Sequence, residues 1–418
     1  AQGWGRIHGA GASLTVACRD FWQQYPKGIK VSPQGICLDL MPELRRSQYG
    51  GAARDPVALV HLFYYLRGGR YRIRQGVRKT HEVLLALQWR GQMPPLQAFT
   101  NPPLAFALDD WYVRSGALGE VAEAGSSWAR DYDAAISQAL RGYLDLRERQ
   151  RDYGMLNFGD WWGEREVNWG NMEYDTPHAF LLQYMRSGER AFFVAGEQAS
   201  RHHMDVDLVH AYREPSRVGR VYLHCIGHTG GYFDPSPTKA GIPGGHFSIC
   251  HTWVEGFLDH YFLTGDRDAW EAVRLIAERY CRTYLNNYDF TNCRIPGWHL
   301  ILAMAMFNAT NDPFYLNASR IIVERVLERQ TENGGWDRQL MPGHCHCLPR
   351  HRGEAGFMVG ILLSGLKKFH LATQDPRVAD AIVRGARYLI SDTYVGEQKA
   401  FRYTCLLYTS PSPRDRTR

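Results

Sequence analysis

The spacing of apolar residues changes once along the chain. Up to about residue 105, apolar and polar positions alternate in short runs at 13–17, 36–40, 58–66 and 81–87, separated by Gly50-Gly51, Gly68-Gly69 and Pro94-Pro95. A period of two sends successive side chains to opposite faces of a strand, and Gly or Pro clusters turn the chain between strands. Residues 1–105 are therefore expected to form an antiparallel β-sandwich, truncated on its N-terminal side. In 71–79 the alternating Arg72 and Arg74 suggest a solvated strand face first and a polyanion contact second.

Beyond that point the spacing lengthens to three and four. Tyr132, Ile136, Leu140 and Leu144 predict a helix over 128–150. Four times the chain then repeats helix, tight turn, helix. The pairs are 177–186 with 191–205, 250–263 with 268–286, 297–309 with 314–331, and 354–372 with 377–391. The turns read Ser187-Gly188-Glu189-Arg190, Thr264-Gly265-Asp266-Arg267, Thr310-Asn311-Asp312-Pro313 and Thr373-Gln374-Asp375-Pro376. Gly or Asn ends a helix, Asp caps the next one, and Pro is tolerated at a first helical position. Trp270, Val273, Ala277 and Tyr280 share one helix face, as do Val378, Ile382, Gly385 and Leu389, and such stripes are most simply core.

The fold class expected is α+β and multidomain. An α/α toroid of helical hairpins over 106–403, incomplete at its C-terminal side, follows the sandwich. Residues 404–418 break into Ser, Pro and Arg and resemble translated sequencing-adapter sequence foreign to the fold. With every short turn on one rim, the long connections at 160–175, 224–251, 292–298 and 335–354 are expected to gather on the other.

The first long connection sets Trp161, Trp162 and Trp169 among Glu164, Arg165, Asn168, Asn171, Glu173 and Asp175. Sugars need apolar plates for their C–H faces and paired polar groups for their hydroxyls, so this composition suits a carbohydrate groove. The competing explanation, indoles that close a core, is equally open for any one Trp. The second connection offers His228, Tyr232, His246 and His251 among glycines, as candidate acids and bases. The fourth carries His344-Cys345-His346-Cys347, whose spacing matches no paired zinc knuckle, so no metal is assigned; Arg350 and His351 better suit a carboxylate. No cofactor is called for, and Ca²⁺ is not indicated.

Charge narrows the partner class. The net charge of +6 includes +2 from three Arg and one Asp at the C-terminal end, and the remaining +4 is too small a surplus to argue for nucleic acid. No run is apolar for long enough to cross a bilayer, and no targeting segment is read. The nine Cys, one of them in the C-terminal stretch, fix no disulfide pairing.

The strings GDWWGER, NWGNMEYD, HCIGHTGGYF, GGHFSICHTWVEGFLDHYFLTGDR and HCHCLPRHRGEAGFMVGILLSGLKKFH, after RDFWQQYPK, resemble exo-rhamnogalacturonan lyases of polysaccharide lyase family 26, from about residue 19 to 403. That resemblance implies a β-sandwich joined to an α/α toroid, a periplasmic or extracellular location, and β-elimination on the galacturonate–rhamnose backbone of pectin. Its partner would be an acidic polysaccharide or oligosaccharide. Read from the residues themselves, Arg165 and Asn171 would hold the uronate, His228 or His246 would be the base, and Tyr232 the acid or base. Trp161, Trp162, Glu164, Asn168, Trp169, Glu173, Asp175, His251, Arg350 and His351 would bind substrate. Two other classes stay open: a glycoside hydrolase using Glu173 and Asp175 or Glu164, and a carbohydrate-binding protein without catalysis.

Overall fold

The computed structural model describes residues 3–45, 61–67, 70–89, 94–107, 111–164, 168–171, 174–222, 247–285, 292–340, 349 and 351–403. They form two compact units. One comprises the described residues within Ala1–Val218, Tyr222–His246 and Gly256–Ala272, and the other those within Gly219–Val221, Phe247–Glu255 and Val273–Arg418.

The first unit begins with β1 (Trp4–His8) and β2 (Ala12–Cys18), paired antiparallel, followed by the hairpin β3 (Gly28–Ser32) and β4 (Gly35–Asp39). After the short ladder of β5 (Leu66–Arg67) and β6 (Arg70–Tyr71), β7 (Val83–Trp89) returns to pair along all of β2, giving a three-stranded sheet in the order β1-β2-β7. The alternating runs at 13–17, 36–40 and 81–87 thus become β2, β4 and β7. The expected sandwich is not what the described residues build. They form small antiparallel sheets, with the β3–β4 hairpin laid on β1, where Gly5 leaves room for Ile29 and Val31.

Two further strand expectations are corrected. Within 58–66, residues 58–60 lie outside the description and 61–65 form no strand, because Tyr64 and Tyr65 are buried with Met155, Leu156 and Val206 in one core cluster instead of alternating. Beyond Tyr71, the segment expected as a strand face leaves the ladder. Arg74 lies over the Tyr222 ring at 4.2 Å, and Arg78 Nε pairs with buried Asp205 at 3.1 Å.

The helices follow: α1 (Leu96–Thr100), α2 (Trp111–Arg114) and α3 (Arg130–Gln150), then the hairpin α4 (Thr176–Ser187) and α5 (Arg190–His202). Next come α6 (Glu255–Thr264) with α7 (Arg267–Ala277), α8 (Arg294–Thr310) with α9 (Pro313–Arg329), and α10 (Gly356–Thr373) with α11 (Pro376–Tyr388). In the second unit the first helices of the last two hairpins pack together. From Ile295 to Met306, α8 is buried on nearly every side, whereas α9 and α11 bury one face. Helix α6 starts later than expected because Ile249–His251 is a separate 3₁₀ turn.

All four tight turns close by one local device. The hydroxyls of Ser187, Thr264, Thr310 and Thr373 each donate back to the carbonyl four residues earlier, at 2.6–2.9 Å. The same oxygens accept the N–H two residues on, at 3.1–3.4 Å. The residue between is left-handed in each case (Gly188, Gly265, Asn311, Gln374), as a helix C-cap requires. Asp312 and Asp375 then cap the following helix by accepting from Phe314 N and Arg377 N, both at 2.9 Å. At the other end of three second helices the ladder loosens into π-helical turns, His203–Asp207, Glu278–Tyr284 and Leu389–Thr393, and the first two of these lead toward long connections.

Candidate active site

In the first unit the Trp-rich connection is held by buried acids. Asp160 accepts the N–H of Trp161 at 2.7 Å through Oδ1 and the N–H of Asn171 at 3.1 Å through Oδ2, pinning both ends of the β8 (Trp162–Glu164) and β9 (Asn168–Trp169) hairpin. His202 Nε2 lies 3.6 Å from Asp160 and 3.5 Å from Asp207, and His203 Nδ1 lies 3.3 Å from Asp207. All four side chains are buried. Burial first and the Asp207 charge second push the Asp160 carboxyl well above the usual carboxylate range, so it holds its proton more readily than an exposed Asp.

Trp162 and Trp169 close over a second buried pair. His61 Nε2 is 2.7 Å from Asp152 Oδ1, and the imidazole stacks on Trp162 at 4.5 Å between ring centres. Trp169 packs against both rings and donates its Nε1–H to the His61 carbonyl at 3.0 Å. These two indoles spend their faces on protein, so the sugar-stacking role expected of them gives way to packing. Trp161, half-buried, lies flat against Gly170, where a Cβ would meet the indole at 2.2 Å.

Asp175 is also structural. In a left-handed conformation, it N-caps α4 by accepting His178 N at 3.2 Å through Oδ1, and its Oδ2 accepts Gly256 N on α6, also at 3.2 Å. One carboxylate thus ties the first turns of α4 and α6 side by side. The approach is so close that a Cβ on Gly256 would stand 2.5 Å from Asp175 Oδ1 and 2.6 Å from His178 N. This junction brings His178 and Asp259 together, with Nδ1 to Oδ2 at 2.6 Å. The imidazole keeps 30% of its surface exposed and the carboxylate 15%. A carboxylate on one ring nitrogen fixes the tautomer and orientation of the imidazole.

The remaining expected residues fall as follows. His228, Tyr232, His246, Arg165, Glu173 and Arg350 lie outside the described residues, as do the side chains of Glu164 and Asn168, whose backbones belong to β8 and β9. Asn171 is buried and left-handed at the Asp160 anchor. His251 and His351 belong to the second unit, the first buried edge-on to Trp253 and the second exposed. Sequence reasoning passed over His178, Asp259, Asp160, His202, His203 and Asp207. Two signals pointed to four of them: HHMDVD crowds His202, His203 and Asp207 at a helix end, and Asp259 interrupts the apolar run GFLDHYFL.

No family model matches the chain, and no curated protein matches it, so the likeness to rhamnogalacturonan lyases rests on the motifs alone. Among solved structures the chain is similar to the cellobiose 2-epimerase of Spirochaeta thermophila, with 56% of this chain and 77% of that chain covered at 11% identity and a TM-score of 0.31. A likeness that weak decides neither substrate nor chemistry.

Proposed function

We propose that the chain is a carbohydrate-active enzyme that cleaves a uronate-containing polymer of the rhamnogalacturonan type by β-elimination, with His178 as the base. The observation that carries this is the 2.6 Å contact between His178 Nδ1 and Asp259 Oδ2 on a part-exposed imidazole, beside the aromatic and polar connection. The imidazole takes the proton α to the uronate carboxyl, and the C–H electron pair becomes the C4–C5 double bond. The C4–O bond breaks, and its oxygen leaves with a proton. Asp259 is a positioning residue, stabilising the imidazolium as it forms. Arg165 as the group that neutralises the uronate, and Tyr232, His228 or His246 as proton donor, remain part of the proposal, as does a periplasmic or extracellular location.

The hydrolase alternative is weaker on one point. Of its three candidate acids, Asp175 is committed to two backbone N–H groups, and a carboxylate so engaged is a poor proton carrier. Elimination creates a conjugated alkene, so incubation with rhamnogalacturonan should raise the ultraviolet absorbance of unsaturated uronate. His178→Ala should cost ~10²-fold or more in turnover, and Asp259→Asn less than that. Reducing ends without absorbance would replace the lyase by a hydrolase, and neither signal would leave binding alone.

A further inference from the structure

Where the chain leaves β2 it runs against α5, with Arg19 on Glu197, and the first unit forms a partly open cavity of about 110 Å³ there. Phe158, Phe193 and Val194 give it an apolar lining, and the other lining residues include several charged ones. Most of that charge is matched. Arg19 pairs with Glu82 and Glu197 at 3.1 and 3.2 Å, Arg201 with Glu82 at 2.7 Å, and Lys79 with Asp205 at 3.8 Å.

Three wall groups are not matched among the described residues. Arg190 meets only neutral oxygens, those of the Asn101 side chain and the Pro102 carbonyl. The Asp20 carboxylate enters no hydrogen bond or ion pair, although Asp20 is held in a left-handed conformation at the cavity wall. Gln24 Oε1 is a buried acceptor without a donor. Burial raises the Asp20 pKa and lowers that of Lys79, as expected where water is scarce.

We propose that this cavity binds the acid end of a small hydroxy carboxylate of the sugar-acid type, its carboxylate on Arg190 and its hydroxyls donating to Asp20 and Gln24. Sulfate offers acceptors only. It would leave Gln24 Oε1 without a donor and would stand against the Asp20 carboxylate. A neutral sugar would satisfy the two acceptors and leave Arg190 without a counter-charge. The volume is of the order of an engineered cavity that holds one benzene ring, about 150 Å³, so about one sugar ring's worth of ligand fits within it. Neither His178 nor Asp259 lines this cavity, and the inference does not depend on that chemistry.

The test is calorimetric titration of the whole chain with D-galacturonate, D-galactose and sulfate. Galacturonate should bind measurably and the other two at least ~10-fold more weakly, since one hydrogen bond to a charged group accounts for about that factor. Arg190→Gln should weaken galacturonate by a similar factor while leaving any rate on rhamnogalacturonan unchanged. Asp20→Asn, at which the wall keeps its shape, should weaken it as well, with circular dichroism confirming that each variant folds. Equal binding of galactose or sulfate, no binding of galacturonate, or wild-type affinity in both folded variants would overturn the proposal.

Discussion

The contact most exposed to a single atom is at Gly256. Its missing side chain lets the first turn of α6 lie against that of α4, and a Cβ would be 2.6 Å from His178 N, where only backbone could yield. Gly256→Ala should therefore cost about 1–3 kcal/mol, in the range of overpacked sites. It should also slow any turnover that depends on His178, because the two helices that carry His178 and Asp259 must separate. A urea midpoint equal to wild type would show that the junction relaxes freely. Gly159 is constrained in a comparable way, with a φ of +104° and Gln198 O where a Cβ would be. Neither constraint could be read from the chain, because each glycine is tight against a residue dozens of positions away.

At the scale of elements, the hairpin turns were legible because their chemistry is local. A hydroxyl and a left-handed residue, joined in three of the four by a capping Asp, all lie within four or five positions, so the tetrads around residues 188, 265, 311 and 374 announce themselves. The start of α6, the π-helical turns and the fate of 61–65 were not legible, since packing from distant segments decides them. His178 and Asp259 are 81 positions apart, and only the pairing of α4 with α6 makes them neighbours. The two kinds of cap should separate in measurement. Asp312→Ala removes one exposed cap bond and should cost about 1 kcal/mol. Asp175→Ala strands two backbone donors at a buried junction and should cost roughly 2 kcal/mol or more. Denaturant midpoints for the two variants compare them directly, and equal losses would deny Asp175 its double role.

Across the whole molecule, buried histidines set the response to acid. Burial holds His81 and His260 in the first unit and His299 in the second down to about 4. In the unfolded chain a histidine titrates near about 6.5. Between those values the unfolded chain binds more protons than the folded one, so stability from these groups is full above about 6.5 and is lost as pH falls toward 4. His299 Nε2 donates to the Tyr280 carbonyl at 3.0 Å, and the shift there is worth on the order of 3 kcal/mol. The melting temperature should fall steeply over that window, and His299→Gln should flatten the fall. An unchanged profile in the variant would assign the acid sensitivity elsewhere. Among the described residues no helix is long and apolar enough to cross a membrane.

In each of the four bends the Ser or Thr hydroxyl finds both its acceptor and its donor within reach of a single turn. Nothing distant has to arrive before such a corner can form. The bends are therefore interchangeable parts. Transplanting Thr-Gln-Asp-Pro into the place of Thr-Asn-Asp-Pro leaves every one of those bonds available, so sequence drift is absorbed at these corners while the opposite connections stay free to diverge in purpose.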